Sequence, residues 1–502
     1  MIFYKTNMKE DNEDFKEGLK TTSLFGGVQI FKIFISIISA KFVALLLGPT
    51  GMGISGLLSS TTGLIGAATN LGLSTSAVRD VSLSYAAGDK YHFSRTVSIF
   101  RRLVWGTGLL GLLVCLVLSP FWSNLTFGNY DYTLAFALLS ITFLLGQISS
   151  GQGVVLQGTR NFKMMAKSGI IGSVIGLFTS IPLFYFWGNE GIVPAMLLSS
   201  ITGLLLTTYY ARKVKTDKVN LTPKEVLREG KTMINLGFFI SIQSFLSILC
   251  AYLVRIYIGR SGSIDDVGLY NSGFNVINTY VGMVFTAMAT EYFPRLSSYS
   301  NDEKKFDNAI NQQMELSFLL LAPLISAFLV LGELAIIILY STKFLGVTFM
   351  IAFGVFGIFL KAPGWCLGFA FLAKGESKIF FINELCAEIY TLLTNILFYH
   401  LWGLNGLGLS FIVNYLIYTI QCIFVCHNRY NYNVAMSVLR FFAPQFLISL
   451  VILLIVILLP STYKYTIGCS LVILSTYLSY RELQKRFNVI TYIRSKIDIF
   501  HK

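Results

Sequence analysis

Four basic residues of this sequence lie inside long apolar segments, where a charged side chain is costly. They are Lys32 and Lys41 in the first such segment, Arg255 in the seventh and Lys361 in the tenth. A charge at the centre of a bilayer costs about 2.5–3.5 kcal/mol on insertion scales, so each one requires an explanation. Lys32 and Lys361 lie deepest, whereas Lys41 and Arg255 lie close enough to a segment end to reach the interface. Because buried ammonium and guanidinium groups bind phosphate or carboxylate oxygens, these residues are candidates for binding an anionic substrate in a cationic cavity.

Two acidic residues, Glu384 and Glu388, lie in the eleventh apolar segment. Their i, i+4 spacing places both on one helix face. Two interpretations stay open. In the first, the carboxylates pair with Lys361 or Lys378. In the second, one of them binds a proton or a sodium ion whose gradient drives transport.

Three asparagines, Asn70, Asn275 and Asn278, add neutral hydrogen-bonding groups within apolar segments. Asn275 and Asn278 are three residues apart, which predicts that they share a helix face. Together with the deep bases they suit a polar, sugar-like ligand that also has a charged group. For each asparagine alone, a hydrogen bond between helices is an equally good explanation.

The elements that position these residues follow from composition. Of 502 residues, 54% are apolar and 13% are charged, and the mean hydropathy is +0.66. So few charges cannot cover a soluble protein of this size, which excludes soluble, disordered and fibrous classes. Segments long enough to span a bilayer as helices recur along the chain. The fourteen predicted spans are 22–47, 51–73, 103–120, 132–152, 167–187, 191–211, 232–258, 268–290, 315–340, 345–372, 379–401, 405–427, 440–460 and 464–480.

The net charge of +14 has a topological explanation. With fourteen spans, most Lys and Arg residues fall in the two tails and in every second loop, and the positive-inside rule then places both termini in the cytoplasm. The excess of positive charge is therefore no sign of a nucleic-acid partner. The sequence shows no metal-ligand cluster and no phosphate-binding glycine motif, so we expect neither a metal nor a cofactor.

An internal repeat divides the chain. Trp187 and Trp402 are 215 residues apart, as are Gly191 and Gly406, and Gly158 resembles Gly375 at an offset of 217. Six spans per repeat predict two bundles in parallel orientation, an arrangement typical of secondary transporters. The alternative is that turn chemistry alone makes the two Trp-Gly turns look alike. The predicted parts are a cytoplasmic tail (1–21), a six-helix bundle (22–211), a cytoplasmic linker (212–231), a second six-helix bundle (232–428), two additional helices (429–480) and a cytoplasmic tail (481–502).

Several short motifs, in order and spacing, resemble the Wzx-type O-antigen and polysaccharide translocases. They are Leu47–Gly53, Asn70–Leu73 leading to Val78-Arg79, Val267–Tyr270, Tyr292–Ser297, and Trp365–Gly368 running to Ala373–Gly375. The resemblance covers nearly the whole chain. These translocases belong to the multidrug/oligosaccharidyl-lipid/polysaccharide exporter superfamily, which also contains multidrug antiporters and peptidoglycan-precursor flippases.

The resemblance implies two six-helix bundles around a central cavity, with two additional C-terminal helices. It implies a non-enzymatic flippase in the bacterial inner membrane that moves polyprenyl-pyrophosphate-linked oligosaccharide to the outer leaflet by alternating access. It further implies membrane lipids, a polysaccharide polymerase and a chain-length regulator as partners. It does not fix the site residues one by one.

Three alternatives stay open. A multidrug cation antiporter usually needs deep acids, whereas here deep bases are the better candidates. A peptidoglycan lipid-precursor flippase belongs to the same superfamily. A membrane-embedded polymerase would need a substantial outer loop with catalytic residues, and the predicted outer loops are short.

Overall fold

The computed structural model describes residues 31–217 and 219–486. All regular elements in this part of the chain are helical, and it contains no β-strand, which confirms the predicted all-α polytopic class. The predicted tail 1–21 lies outside the described residues, as do residues 22–30 of the first predicted span and residues 487–502 of the predicted C-terminal tail.

The chain divides into two compact units between Arg260 and Ser261. The helices described in the first unit are α1 (31–46), α2 (Gly48–Thr69), α3 (Leu73–Ala86), α4 (Lys90–Val117), α5 (Ser119–Phe127), α6 (Thr133–Gly158), α7 (Phe162–Trp187), a 3₁₀ turn (Gly188–Gly191), α8 (Ile192–Ala211) and α9 (Pro223–Ser261), which ends at the first residue of the second unit. The boundaries of the predicted bundles, linker and additional helices stay predictions.

The second unit follows the same principle of long helices and short connections. Its described elements are α10 (Ile264–Asn275), a π-helical segment (Val276–Val281), α11 (Met283–Ser298), α12 (Glu303–Leu339), a 3₁₀ segment (Thr342–Val347), α13 (Thr348–Ala373), α14 (Ser377–Tyr430), α15 (Met436–Leu458) and α16 (Ser461–Arg486).

Eight helical segments of the described chain are long and apolar enough to cross a membrane. Two of them, 162–211 and 377–430, contain 50 and 54 residues. A straight helix of that length would measure about 75–80 Å, more than twice the ~30 Å hydrocarbon core. Each of the fourteen predicted spans overlaps helical residues. The protein is therefore a multi-pass membrane protein, and the number of fourteen crossings stays a prediction.

The two longest segments break at glycines that are 215 residues apart. Gly188 has φ 54° and ψ −131°, and Gly403 has φ 59° and ψ −141°. Only glycine adopts this conformation readily. Three residues later, a Cβ atom on Gly191 or on Gly406 would overlap a carbonyl oxygen of the preceding helix. The same turn therefore occurs twice at the same offset, which supports the predicted internal repeat.

A second turn repeats at 215 residues and corrects one detail of the sequence comparison. Arg160 and Gly375 both have positive φ, 56° and 75°. In both turns the next residue donates its N–H to the carbonyl five positions back, at 2.8 and 2.9 Å, as at many helix ends. The pairing of Gly158 with Gly375 is therefore wrong by two residues. Residue type pairs Gly158 with Gly375, whereas the backbone conformation pairs Arg160 with Gly375, because both have positive φ.

Each unit has its own packed interior. In the first, Phe93, Val97 and Phe100 of α4 pack against Val226 and Met233 of α9. Arg95 closes the edge of this contact by donating two hydrogen bonds to Glu229 of α9, at 2.9 and 2.8 Å. This pairing holds the start of α9 against α4.

In the second unit, α12 and α13 contribute more buried residues than any other described helix. Phe359 of α13 packs against Phe318 of α12 and against Phe442 and Phe446 of α15, with ring centroids 6.1 to 6.4 Å apart. Stacked and edge-to-face aromatic pairs stabilise such contacts beyond simple burial. This close packing fixes the rotation of α13 about its axis, and with it the direction of the polar residues on its other faces.

Candidate functional site

Lys361 of α13 lies between two aromatic rings. Its Nζ is 5.0 Å from the ring centroid of Tyr415 on α14 and 5.7 Å from that of Phe285 on α11. Both distances are within the range of cation–π attraction. In the described part of the chain Lys361 forms no salt bridge within 4.0 Å, and its ammonium group has three hydrogen-bond donors.

Tyr415 also contacts Asn278. Its hydroxyl group donates to Asn278 Oδ1 at 3.4 Å, while the Asn278 amide group donates to the Phe274 carbonyl at 3.5 Å. Asn278 lies within the π-helical segment, and such segments are frequent at functional sites. The sequence predicted Asn275 and Asn278 on one face from α-helical spacing. The structure leaves Asn275 exposed and Asn278 half-buried beside Tyr415.

Glu384 of α14 is hydrogen-bonded by a second tyrosine of the same helix. Tyr418, one turn after Tyr415, donates its hydroxyl hydrogen to Glu384 Oε1 at 2.7 Å. The Tyr418 ring fits because α13 has glycine opposite it, since a Cβ on Gly364 would lie 2.7 Å from that ring. Glu384 lies within electrostatic range of Lys361 but forms no salt bridge in the described residues. Instead of the predicted direct ion pair, Tyr418 hydrogen-bonds Glu384 and the Tyr415 ring contacts Lys361.

Glu388 lies half-buried one turn after Glu384, within its electrostatic range. The neighbouring Asn383 is buried and accepts a hydrogen bond from Gln421 Nε2 at 2.8 Å. Its own amide nitrogen donates to Cys422 Sγ at 3.6 Å. These contacts link the two halves of α14 and fix the face that presents both carboxylates.

The remaining candidate bases lie in the first unit. Lys32 is exposed on α1, and its side chain crosses α7 where Gly169 leaves room. A Cβ on Gly169 would lie 2.8 Å from Lys32 Nζ. Lys41 is half-buried on α1, and Arg255 is half-buried on α9, where its Nη1 donates to the Ala251 carbonyl at 2.9 Å.

The direction of Arg255 depends on a chain of hydroxyl groups. Tyr252, one turn earlier on α9, is buried and hydrogen-bonds Thr126 of α5 at 2.9 Å. Thr126 in turn hydrogen-bonds Thr61 of α2 at 3.1 Å. These bonds fix the rotation of α9 about its axis.

Asn70 has a local role in the turn between α2 and α3. Its Oδ1 accepts the N–H of Gly72 at 2.6 Å. Leu71 and Gly72 both have positive φ, 51° and 61°, which such a side-chain contact supports. Gly72 then lies against Gly237 of α9 so closely that a Cβ would overlap it. The Asn-Leu-Gly motif therefore serves helix packing.

The structure thus brings together Lys361, Asn278 and Glu384 through two tyrosines that sequence reasoning missed. Their signal was present, because Tyr415 and Tyr418 follow each other at one-turn spacing in an apolar segment. Lys32, Lys41, Asn70 and Arg255 occupy separate positions in the first unit. Among the described residues, no group of three metal-ligating side chains converges.

Comparison with known proteins identifies the family. A family described as "Polysaccharide biosynthesis protein" matches residues 42–348, which is more than half of the chain. The chain therefore belongs to this family, and the predicted resemblance to polysaccharide translocases is confirmed. The lipid III flippase of Escherichia coli (strain K12) is 22% identical over 408 residues, covering 78% of this chain and 94% of its own.

Solved structures share the fold. The lipid II flippase MurJ, in an inward closed conformation, superposes with a TM-score of 0.68 and 14% identity, covering 93% of this chain and 99% of its own. An inward-facing multidrug resistance MATE family transporter of the MOP superfamily gives a TM-score of 0.66 and 14% identity, covering 82% of this chain and 96% of its own. The fold is thus that of MOP-superfamily transporters.

Proposed function

We propose that this member of the polysaccharide biosynthesis protein family is a flippase for polyprenyl-pyrophosphate-linked oligosaccharide units. It moves them from the cytoplasmic to the outer leaflet by alternating access, with no covalent chemistry, for O-antigen, capsule or exopolysaccharide assembly. The lipid III flippase of E. coli supports a lipid-linked cargo. In this proposal the protein lies in the bacterial inner membrane with both termini in the cytoplasm, and it cooperates with a polymerase and a chain-length regulator.

The observation that supports this proposal most is the environment of Lys361. Its cation is stabilised by two ring faces and not by a carboxylate at contact distance within the described residues. An ammonium group that contacts ring faces and no carboxylate keeps its full positive charge. It attracts the pyrophosphate group, because its N–H donors form charge-assisted hydrogen bonds with phosphate oxygens. Asn278 and Tyr415 add neutral groups for sugar hydroxyls. Lys32, Lys41 and Arg255 stay predicted anion-binding bases of the first unit.

Glu384 is the proposed coupling residue, with Glu388 as its neighbour. A carboxylate that accepts a hydrogen bond from Tyr418 and lies within electrostatic range of Lys361 changes its interaction with that lysine when it binds a proton or a sodium ion. Loading and unloading of this carboxylate would then alter how strongly Lys361 attracts phosphate. This link connects an ion gradient to cargo release.

The test uses a deletion strain complemented with variants. Deletion should abolish surface polysaccharide and leave lipid-linked units on the cytoplasmic side. Lys361→Ala should reduce export roughly 10- to 100-fold, as expected for the loss of a charge-assisted contact. Lys343→Ala, an exposed lysine of the 3₁₀ segment Thr342–Val347, is the matched control and should export normally. Normal export in the deletion strain would contradict the proposed flippase function.

A multidrug antiporter makes the opposite prediction. Its deletion would raise sensitivity to cationic drugs and leave surface polysaccharide intact. Measuring drug sensitivity and polysaccharide in the same strains therefore separates the two functions, and lipid-precursor analysis separates oligosaccharide cargo from a peptidoglycan precursor.

A further inference from the structure

A cavity of about 590 Å³ lies in the second unit, apart from the residues around Lys361. Its volume is in the range of small-molecule sites. Arg295 at the end of α11, Ser437 at the start of α15 and Leu483 near the end of α16 form part of its wall. The largest contribution comes from one face of α12, at Asn308, Asn311, Gln312, Glu315, Leu316 and Leu319.

Asn311 is oriented so that it offers a donor to this cavity. Its Oδ1 accepts hydrogen bonds from the Tyr432 hydroxyl group at 2.7 Å and from the Ala435 N–H at 3.2 Å. Both acceptor positions of the amide oxygen are therefore used. The side chain is only 9% exposed, and its amide nitrogen makes no hydrogen bond within the residues that the structure describes. The amide nitrogen is not fully enclosed, and Asn311 lines the cavity, so this donor is open to a ligand there.

The charges of the cavity wall are of both signs. Glu315 is 4% exposed, and a buried carboxylate can accept several hydrogen bonds from an ammonium group. The Arg295 guanidinium pairs with Glu291 at 2.9 Å and donates to Gln313 Oε1 at 3.2 Å, which fixes its position. A wall with a carboxylate, a guanidinium and several amides matches a zwitterion better than a simple anion.

The lining changes from polar to apolar along α12. Asn308, Asn311 and Gln312 come first, and Leu316 and Leu319 follow one to two turns later. A neighbouring groove shares Ser437 and continues along the first turns of α15, where Leu439 and Arg440 are exposed. This combination fits an amphiphile whose polar end lies near the start of α12 and whose apolar part runs along the helices.

We propose that this cavity binds the headgroup of a glycerophospholipid with a primary ammonium group, of the phosphatidylethanolamine class. Glu315 accepts the ammonium hydrogens. The amides of Asn311 and Gln312, together with the Arg295 guanidinium of the wall, bind the phosphate oxygens. An acyl chain lies in the groove beside Leu439.

Binding to the purified full-length protein in detergent tests the assignment, with native mass spectrometry or thermal stabilisation as the readout. The probes are phosphatidylethanolamine, phosphatidylcholine with the same acyl chains, and free phosphoethanolamine. Phosphatidylethanolamine should bind about tenfold more tightly than phosphatidylcholine, because a quaternary ammonium has no hydrogen to donate to Glu315. Free phosphoethanolamine should bind far more weakly than the lipid.

Two variants and one control complete the design. Glu315→Gln should remove the preference for the primary amine. Gln312→Glu, at an exposed position of the wall, should weaken phosphate binding without disturbing the fold. Glu303→Gln, an exposed acid of α12 outside the cavity, should behave as the parent protein. Equal binding of the two lipids by the parent protein, or unchanged binding by Gln312→Glu, would overturn the proposal. Stabilisation by free phosphoethanolamine alone would overturn the lipid assignment.

Discussion

Replacing Tyr415 by Phe or by Leu separates the two contacts of its side chain. Tyr415→Phe keeps the ring 5.0 Å from Lys361 Nζ and removes only the hydroxyl bond to Asn278. Tyr415→Leu removes both contacts and keeps an apolar side chain in the same place. If the ring holds the Lys361 cation for the cargo, the two variants must differ strongly.

The magnitudes follow from the geometry. A cation–π contact contributes about 0.5–1 kcal/mol at an exposed site and about 2 kcal/mol when the cation is desolvated, which corresponds to roughly 2- to 30-fold in affinity, and Lys361 is half-buried. The Phe285 ring, at 5.7 Å, remains in both variants, so the Leu variant should lose roughly 5- to 30-fold. The hydroxyl bond to Asn278 is long at 3.4 Å, and its loss should cost about twofold.

The assay is the rate of polysaccharide export per molecule of protein in a deletion strain, with the protein measured in the membrane fraction. Tyr477→Leu on α16, an exposed tyrosine, controls for the loss of a tyrosine as such. Full export by Tyr415→Leu at normal protein level would show that the ring does not support the cation. Equal losses in the Phe and Leu variants would transfer the role to the hydroxyl group and Asn278.

Three further predictions concern stability. Gly403→Ala should destabilise the purified protein by about 1–3 kcal/mol in thermal unfolding, because its φ and ψ suit only glycine, whereas Gly332→Ala, where a Cβ meets no atom, should be close to neutral. Asn70→Ala should lower stability by about 1 kcal/mol through loss of the side-chain bond to the Gly72 N–H, and Asn70→Asp should restore most of it. The Arg95 guanidinium lowers the pKa of Glu229. The pair therefore stabilises the fold above the ordinary carboxylate pKa of 4.5, and this contribution is lost as the pH falls below that value. The unfolding temperature of Glu229→Gln should respond less to pH between 7 and 3 than that of the parent protein.

Some of the site was predictable because it depends on position along one helix. The depth of Lys361 follows from its place in an apolar segment, and the shared offset of the Trp-Gly turns follows from simple comparison. The contact of Lys361 with Tyr415 was not predictable, since it depends on how α13 packs on α14. The orientation of Asn278 was not predictable either, because the π-helical segment departs from the 3.6-residue period on which the prediction relied.

Asn70 illustrates the opposite error. A polar residue in an apolar segment was interpreted as a ligand-binding group, although Asn-Leu-Gly is a turn sequence that explains it locally. Arg160 shows a related limit, because sequence comparison cannot detect that a residue with a side chain adopts the conformation that glycine adopts in the other half.

The breaks at Gly188 and Gly403 also explain why the two halves of the chain still resemble each other at these turns. Apolar positions in a membrane helix exchange freely among leucine, isoleucine, valine and phenylalanine, so two copies of a duplicated segment soon lose their likeness there. A position whose backbone accepts no side chain cannot drift in this way. Gly191 and Gly406, each pressed against a carbonyl oxygen, are constrained in the same manner. The predicted repeat is therefore most visible at residues that have no side chain to vary.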